Sequence, residues 1–454
     1  MTFQVISPLD GQLLKEIPRW DDVQIENALQ KSAEAAPRWA ALPIVERKDY
    51  LRKLGALIRK RRSILATLIT QEMGKLYRES LAEVDKCAGV CDYYADNTAA
   101  FLADEVIESD AGRSLVTYQP LGAILAVMPW NFPLWQVMRF AVPVLMAGNS
   151  ALLKHASNVP QCALALQQLM VDAGLPEGVF TSLMIGAPQV KAVIEDQRVH
   201  AVSLTGSTPA GRQVAAVAGS ALKKCVLELG GSDPFIVLAD ADIEQAVQAA
   251  VLSRYLNAGQ SCIAAKRFIV VDAVAEQFVT QFKAAVEQLK VGDPMDETTS
   301  LAPLARVDLR DELHQQVLTS IAQGAIPLTG CQPVEGAGAF YQPSILDQVK
   351  PGMLAYSEEL FGPVAIVIRA KDEQEAIAIA NDSIFGLGGS IWTEDALHGE
   401  RLARQIEAGA VFVNGMVKSD VRLPFGGVKQ SGYGRELSLL GIREFVNAKT
   451  IWVR

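Results

Sequence analysis

Cysteine and histidine are scarce in this sequence, and neither is clustered. Its 454 residues include six cysteines and four histidines, without a C-x-x-C pair or closely spaced histidines. Structural zinc sites are built from such clusters, so the sequence predicts no metal site. Cysteines this sparse do not form the disulfide framework of small secreted domains, which favours a reducing, cytoplasmic location.

Basic residues are in the minority as well. The 42 Lys and Arg residues are outnumbered by 51 Asp and Glu residues, which gives a formal net charge of −9. A broad nucleic-acid surface needs a basic footprint, so this class of partner is disfavoured. Small anions held by a few local cations remain compatible with the composition.

The sequence also lacks a leader pattern and a clean membrane span. The residues after Met1 do not form a basic stretch followed by an apolar one, so we expect no secretory signal. The longest charge-free stretch, residues 114–138, is long enough to cross a bilayer but contains three prolines and several polar side chains. We interpret it as a buried strand followed by an ordered loop, and we expect no membrane partner.

Two kinds of hydrophobic periodicity divide the chain. Residues 21–103 carry apolar side chains at helical spacing, which predicts long amphipathic helices. From residue 121, short apolar runs, the first at 123–128, alternate with helical segments, which predicts βαβ units and a parallel sheet. A second such set begins at residues 234–238 and continues with a helix at 243–256, with Gly230 and Gly231 as the crossover. The predicted fold class is therefore α/β.

The last residues, 449–454, alternate between polar and apolar side chains as an edge strand does. A lone terminal strand needs a partner, and a second subunit is one candidate for it.

One segment resembles a phosphate-binding loop. A predicted strand ends in Gly206-Ser207-Thr208 before a helix, although the sequence has no G-x-G-x-x-G fingerprint and no Lys-Ser/Thr ending of a P-loop. Backbone N–H groups at such a helix start can bind an anion. A plain N-cap, in which the hydroxyl satisfies these donors, explains the same residues.

Three polar residues are candidates for catalysis, each with an alternative. Cys262 follows small residues that could present a thiolate nucleophile, but a buried structural cysteine is the commoner case. Glu228 ends an apolar strand beside glycines, which suits either a general base or a solvated loop acid. Asn131, fixed between two prolines and two aromatic residues, suits a pre-organised hydrogen-bond donor or a turn-forming asparagine.

Taken together and in order, these segments resemble the aldehyde dehydrogenase superfamily over essentially the whole chain. The matching pieces are PWNFP at 129–133, LLK at 152–154, TGST at 205–208, LELGG at 227–231, GQSC at 259–262, EELFGPV at 358–364 and PFGGVKQSG at 424–432.

The resemblance implies a fold and a domain division. It implies a variant Rossmann cofactor domain at 1–105 and 121–229, which explains the missing glycine fingerprint, and an α/β catalytic domain at 230–430. A small β bridging element at 106–120 and 440–454 would support a homodimer or homotetramer.

It also implies oxidation of an aldehyde to a carboxylic acid with a nicotinamide cofactor. Cys262 matches the nucleophile that forms a thiohemiacetal and then a thioester. Asn131 matches a donor to the oxyanion, and Glu228 matches the base that activates the deacylating water. The retained Glu228 favours hydrolysis over acyl transfer to coenzyme A. A catalytically silent structural or binding protein on this fold is disfavoured, because all three residues are present.

For the cofactor, the resemblance implies contacts at Trp130, Lys154, Ser157, Gly206, Ser207, Gly230, Glu359 and Phe361. Many NAD-preferring relatives have Glu three residues after the lysine, where this chain has Ser157. A carboxylate there would repel a 2′-phosphate, so we predict NADP as cofactor, with NAD used less readily. The alternative is that Ser157 only caps a turn and both cofactors are accepted.

For the substrate, Arg139 resembles the carboxylate-binding arginine of succinic semialdehyde dehydrogenases. Ser419 matches a serine that assists it, and Phe425 of the PFGG motif lies in the same predicted site. We therefore predict oxidation of succinic semialdehyde to succinate. Broader activity toward other ω-carboxy or small aliphatic aldehydes is the alternative, as is a surface ion pair for Arg139.

Three positions depart from the family pattern. Leu256 replaces a second substrate arginine, so binding of the carboxylate would depend more heavily on Arg139, with Lys418 and Arg422 as candidate helpers. Ala264 replaces a second cysteine, so no redox disulfide can protect Cys262. His155 stands where proline is usual, and the sequence does not explain it.

Overall fold

The computed structural model describes residues 1–454, and its elements follow one another in the predicted alternation. The N-terminal elements are β1 (Thr2–Ile6), β2 (Leu13–Pro18), α1 (Asp22–Ala40), α2 (Ile44–Lys60), α3 (Arg62–Met73), α4 (Tyr77–Phe101), β3 (Glu105–Val106) and β4 (Arg113–Pro120). The next are β5 (Ala123–Met128), α5 (Trp135–Met146), β6 (Ser150–His155), α6 (Pro160–Asp172), β7 (Phe180–Ser182), α7 (Val190–Glu195), β8 (Val199–Thr205), α8 (Thr208–Ser220) and β9 (Lys224–Glu228).

The second half of the chain repeats this alternation before a short C-terminal set. Its elements are β10 (Asp233–Val237), α9 (Ile243–Tyr255), β11 (Ala265–Val271), α10 (Asp272–Val286), α11 (Val307–Ala322), β12 (Ile326–Thr329), β13 (Ser344–Asp347), α12 (Leu354–Ser357), β14 (Val364–Ala370), α13 (Glu373–Asn381), β15 (Phe385–Gly386), β16 (Gly388–Trp392), α14 (Ala396–Ala403) and β17 (Ala410–Val413). The last are β18 (Val428–Lys429), β19 (Gly432–Tyr433), α15 (Ser438–Arg443) and β20 (Val446–Val453).

The four N-terminal helices occupy the segment for which the periodicity predicts them. In α2, the buried side chains of Leu51, Leu54 and Ile58 lie on one face at helical spacing. Together with α5 and α6 they cover the first large sheet and form one continuous apolar core with it. None of the helices in the chain combines the length and apolarity that a membrane crossing requires.

The first large sheet has the strand order β19-β9-β8-β5-β6-β7, and all its strands except β19 are parallel. The chain leaves β5 toward β6 on one side and returns to β8 on the other, so β5 is a topological switch point. In open α/β sheets, ligands bind at the carboxyl ends of strands near such a point. Asn131, Lys154, Gly206 and Glu228 all lie at or just beyond these ends.

The second large sheet has the order β12-β13-β14-β11-β10-β16-β17, with only β12 antiparallel. Its central strands β10, β11 and β14 are buried on both faces, as expected for a parallel sheet covered by helices. The two sheets are joined where β9 ends at Glu228 and β10 starts at Asp233, which is the predicted crossover. The predicted α/β class is confirmed.

The C-terminal strand finds its partner in its own chain, so the expectation that a second subunit supplies it is wrong. β20 pairs antiparallel with β4 over eight residues, from Val446 with Pro120 to Val453 with Arg113. The sequence separates these strands by more than three hundred residues, so local pattern could not identify the pair. β20 remains an edge strand in the order β20-β4-β3.

Candidate active site

The loop before Cys262 turns sharply because three successive residues adopt left-handed backbone conformations. Asn257, Ala258 and Gly259 have φ values of 54°, 52° and 74°. Such a conformation costs a non-glycine residue on the order of 1–3 kcal/mol, so the surroundings must enforce it. A Cβ atom at Gly259 would lie 2.3 Å from the carbonyl oxygen of Gly362, so the close approach also requires glycine.

A buried arginine holds this loop in place. Arg254 has no exposed surface, and its guanidinium donates to the carbonyl oxygens of Gly259 at 2.9 Å and Ala265 at 3.1 Å. It also donates to the carbonyl oxygen of Gly362, on the far side of the loop. The nucleophile loop is therefore fixed by side-chain contacts to its own backbone.

Cys262 is partly exposed at the end of this loop and lines a cavity of about 600 Å³. Burial of the sulfur raises the pKa of the thiol to about 12, because it disfavours the charged thiolate, while the positive charges of Arg139 and Lys266 oppose that rise. The thiol is therefore protonated at neutral pH and needs a base to become a nucleophile. Its position in a cavity disfavours the alternative of a buried structural cysteine.

Asn131 is tied to the nucleophile loop through two hydrogen bonds. Its side-chain amide donates to the backbone carbonyl oxygen of Gln260 at 3.1 Å. Its backbone carbonyl oxygen accepts from the side-chain amide of Asn257 at 2.8 Å. An amide carries two N–H donors, so one remains for a ligand oxygen near Cys262. The side chain is 4% exposed, so solvent does not compete strongly for it.

Glu228 is buried at the end of β9, which excludes the alternative of a solvated loop acid. It is 2% exposed, and neither carboxylate oxygen has a hydrogen-bond partner. Burial raises the pKa of Glu228 well above its usual value, and the negative charge of Glu436 adds to the rise. An unpartnered buried carboxyl group of this kind can accept a proton from a water molecule.

Arg139 forms an ion pair with Glu436, and both side chains are almost fully buried. The guanidinium lies over the ring of Phe425 at 4.5 Å and donates to the hydroxyl of Thr205 at 3.4 Å. The alternative of a surface ion pair is therefore wrong, because Arg139 is only 2% exposed. Arg139 lines the same cavity as Cys262, together with Ser419 and Phe425.

The two proposed helpers of Arg139 differ in position. Lys418 lines the cavity but is exposed. Arg422 is exposed, pairs with Asp420 at 2.6 Å and does not line the cavity. Arg422 therefore lies outside the cavity, and its guanidinium is paired with the carboxylate of Asp420.

Glu359 is held close to the nucleophile loop. Lys266 donates to the carbonyl oxygens of Ser261 and Cys262 at 2.9 Å each and pairs with Glu359 at 3.2 Å. The Glu359 carboxylate also accepts from the backbone N–H of Gly231 at 3.1 Å, and a Cβ atom at Gly230 would lie 2.4 Å from it. Trp130 and Phe361 meet edge to face nearby, with ring centroids 5.9 Å apart.

Ser157 lies in a recess of about 340 Å³ near two arginines. The recess is lined by Ser157, Asn158, Arg19 and Arg306, and Arg306 pairs with Asp308 at 2.8 Å. Lys154 is close enough to Arg19 for the two charges to interact, and burial together with Arg19 lowers the pKa of Lys154. An anion in this recess would meet positive charge and no carboxylate except that of Asp308.

Ser207 is the N-cap residue of α8, but its side chain makes no capping hydrogen bond. The plain N-cap alternative is therefore not what the structure contains. The first N–H groups of α8 are left for another acceptor, as at anion-binding helix starts.

His155 connects the strand that carries Lys154 to the loop that carries Asn131. Its Nδ1 accepts from the backbone N–H of Ala156 at 2.8 Å, so Nε2 carries the proton and donates to the carbonyl oxygen of Pro133 at 2.8 Å. Burial lowers the pKa of His155 to about 4. This neutral bridge explains a departure from the family pattern that the sequence leaves uninterpreted.

This bridge predicts a pH-dependent contribution to stability. The pKa of His155 is lower in the folded chain than the ordinary 6.5, so the contribution is full above about pH 6.5 and is lost as the pH falls toward 4. We expect it to reach about 3 kcal/mol. Urea unfolding of wild type and His155→Leu at pH 4.5 to 8 measures it. A difference between them that stays constant with pH would contradict the prediction.

Four residues of this site have no motif that marks them in the sequence. They are Arg19, Lys86, Lys266 and Glu436. Each lies near a site residue on a different element or loop: Lys154, Ser419, Glu359 and Arg139, respectively. Only Lys86 carries a weak signal, since it shares one face of α4 with Glu79 and Glu83 at helical spacing.

Known proteins resemble this chain over its full length. The sequence profile of the Aldehyde dehydrogenase family matches residues 1–451. A probable NADP(+) succinate-semialdehyde dehydrogenase of Synechocystis sp. is 51% identical over 453 residues, which cover 100% of both chains. The NAD(P)+ succinate semialdehyde dehydrogenase Sad of Escherichia coli K12 is 50% identical and covers 98% of this chain and 97% of its own. The solved structure of succinic semialdehyde dehydrogenase from Streptococcus pyogenes with NADP+ has a TM-score of 0.98 at 39% identity and 99% coverage of both chains.

Proposed function

Because the chain belongs to the aldehyde dehydrogenase family, we propose that it oxidises succinic semialdehyde to succinate with NADP as the hydride acceptor. The observation that carries the proposal is one cavity, which the Cys262 thiol lines together with cationic side chains. The amide donor of Asn131 and the buried carboxyl group of Glu228 lie beside the loop that carries Cys262. The experiment that tests it is a panel of aldehydes with and without a distal carboxylate, run with both cofactors.

Cys262 begins the reaction when its thiol proton passes to solvent in the cavity and the resulting thiolate attacks the aldehyde carbon. The carbonyl oxygen becomes an oxyanion that the free N–H of the Asn131 amide and the backbone N–H of Cys262 can stabilise. An aldehyde has no good leaving group, so covalent attachment creates the tetrahedral centre from which hydride departs. When bound, NADP supplies the acceptor for that hydride, and the sulfur is left as a thioester.

Glu228 completes the turnover by taking a proton from water. The water oxygen attacks the thioester carbon, the carbon–sulfur bond breaks and the acid leaves. The proton held by Glu228 then returns to the sulfur of Cys262, which restores the thiol. Removal of a general base of this kind typically slows the step ~10²–10⁴-fold.

The residues at the carboxyl ends of the first sheet fit a dinucleotide. The first N–H groups of α8, which the Ser207 side chain leaves uncapped, suit a pyrophosphate, and Lys154 at the end of β6 suits a ribose. The N–H of Gly206 itself donates to the carbonyl oxygen of Glu228 at 2.9 Å. We assign the nicotinamide end to Glu359, with Trp130 and Phe361 beside the ring and Gly230 leaving room for the carboxylate.

The recess at Ser157 supports the preference for NADP. Its arginines offer positive charge to a 2′-phosphate, and Ser157 adds no negative charge. Ser157→Glu is therefore expected to lower kcat/KM for NADP roughly 10- to 100-fold, because like charges in contact cost several kcal/mol. The value for NAD should stay the same or rise.

Ser157→Ala is the matched control and should change either value only slightly. Steady-state rates with each cofactor provide the measurement. The prediction would be contradicted if wild type had equal kcat/KM values for NADP and NAD and Ser157→Glu changed neither of them.

We infer the domain division from the sheets. The first large sheet with its helices forms the cofactor domain, residues 230–430 form the catalytic domain, and β3, β4 and β20 form the bridging element. β20 has a free edge, and Ile451, Trp452 and Val453 on it are 39%, 51% and 50% exposed. An exposed apolar edge strand is a ready surface for a second subunit, which supports a homodimer or homotetramer.

The reducing compartment is also part of the proposal. All six cysteines are free, which suits a cytoplasmic location.

A further inference from the structure

Lys86 lines the cavity that holds Cys262 and takes no part in the mechanism described so far. It lies on α4, on the same helix face as Glu79 and Glu83, which also line the cavity. Glu83 already has partners: it pairs with Lys75 and accepts the backbone N–H groups of Leu134 and Trp135 at 2.9 and 3.0 Å. Its carboxylate therefore pins the start of α5 rather than neutralising Lys86.

The other cations of the cavity have partners or are exposed. The charge of Arg139 is matched by the buried carboxylate of Glu436. Arg78 is exposed and donates to the carbonyl oxygen of Thr299 at 2.7 Å, and Lys418 is exposed to solvent. The charge of Arg139 is therefore compensated by a carboxylate, and the charges of Arg78 and Lys418 are screened by solvent.

Lys86 differs from Arg139 because no carboxylate pairs with it, and it differs from Arg78 and Lys418 because it is half-buried. Its ammonium donates to the hydroxyl of Ser419 at 2.5 Å and lies 4.3 Å from the centre of the Trp135 ring. The aromatic face supports the cation without neutralising it. Burial lowers the pKa of Lys86 to about 8, and the nearby charge of Arg139 adds to this, as expected for a cation that lacks a counterion.

Ser419 completes a pair of donors. Because its oxygen accepts from Lys86, its own O–H is directed to another acceptor. An ammonium N–H and a hydroxyl O–H that share a hydrogen bond can bind the two oxygens of one carboxylate, and charge-assisted bonds of this kind are strong.

We propose that Lys86, together with Ser419, binds the distal carboxylate of the substrate and sets the preference for an ω-carboxy aldehyde. This rests on the proposed function, since it assigns the residue that selects succinic semialdehyde at the same site. Arg139, paired with Glu436, then contributes less net charge to the carboxylate than its position suggests.

The experiment compares succinic semialdehyde with butanal, a neutral aldehyde of the same length, in Lys86→Met and Lys86→Arg. Lys86→Met should raise KM for succinic semialdehyde about 10- to 100-fold, the usual range for a lost hydrogen bond to a charged group, with kcat changed much less. The KM for butanal should stay within about twofold. Lys86→Arg keeps the charge and should recover part of the loss.

Lys53→Met is the matched control, because Lys53 is also stacked on an aromatic ring, that of Tyr50, but lies outside the cavity. It should change neither KM. An equal loss with both aldehydes in Lys86→Met, or no loss with either, would overturn the assignment of Lys86. A wild type that does not prefer succinic semialdehyde to butanal would instead overturn the proposed function.

The wild-type pH profile provides a measurement that needs no variant. The groups facing Lys86 are Glu83 and Cys87 on its own helix, Arg139 on α5 and Asp420 in the loop beside Ser419. As Lys86 loses its proton above about pH 8, kcat/KM for succinic semialdehyde should fall relative to that for butanal. A ratio of the two values that is flat from pH 7 to 9.5 would contradict the proposal.

Discussion

Cys262→Ala is expected to abolish aldehyde oxidation, with a fall in kcat of roughly 10⁴-fold or more, as is usual when a covalent nucleophile is removed. The cause is loss of the only thiol that lines the cavity, whereas binding of substrate and cofactor should remain close to wild type. NADPH formation, followed by its absorbance, provides the measurement. Retention of more than about one per cent of kcat would show that Cys262 is not the nucleophile.

Cys225→Ala is the control for this prediction. Cys225 is the other cysteine with appreciable exposure, and burial raises the pKa of its thiol to about 11. Because Cys225 does not line the cavity, alkylation of wild type should inactivate through Cys262 alone, and Cys225→Ala should be inactivated at the same rate. Because the pKa of Cys262 is about 12, this rate should rise steadily with pH across the range from 7 to 9.

Glu228→Gln stops turnover after the first hydride transfer. Without its base, the thioester accumulates, so kcat should fall ~10²–10⁴-fold while a burst of about one NADPH per subunit persists. Rapid-mixing kinetics would reveal the burst, and intact mass spectrometry would detect one acyl group on the chain.

Glu358→Gln serves as the control, because Glu358 is exposed and lies outside the cavity. In wild type, burial raises the pKa of Glu228, so the ionised form that acts as the base increases with pH and deacylation should speed up as the pH rises. A burst slowed in proportion to kcat would contradict the assigned role, since it would place Glu228 before the thioester.

Much of the fold can be predicted from the sequence, because the signals that define it are local. The apolar run at 123–128 coincides with β5 (Ala123–Met128) to the residue. The predicted helix at 243–256 ends one residue early, at Tyr255, because the left-handed turn that presents Cys262 begins just beyond it. Alternation of short strands and helices is enough to predict a parallel sheet.

The partners within the site cannot be predicted in the same way, because they are contacts between distant segments. Glu436 meets Arg139 only after β19 returns to pair with β9. The hydrogen bond from His155 to Pro133 depends on β5 and β6 lying side by side. Neither contact produces a periodic pattern in the sequence from which it could be predicted.

By itself, the sequence determined the family, the α/β class and the identities of Cys262, Asn131 and Glu228 as candidate catalytic residues, because ordered motifs and local periodicity carry that information. Only the tertiary structure decided which charges in the cavity are free. In the folded chain, Arg139 pairs with the buried carboxylate of Glu436, Arg422 pairs with Asp420, and Lys86 has no counterion. The physical reason is that the effective charge of a buried group depends on its neighbours in space, and those neighbours are set by how the sheets and helices pack.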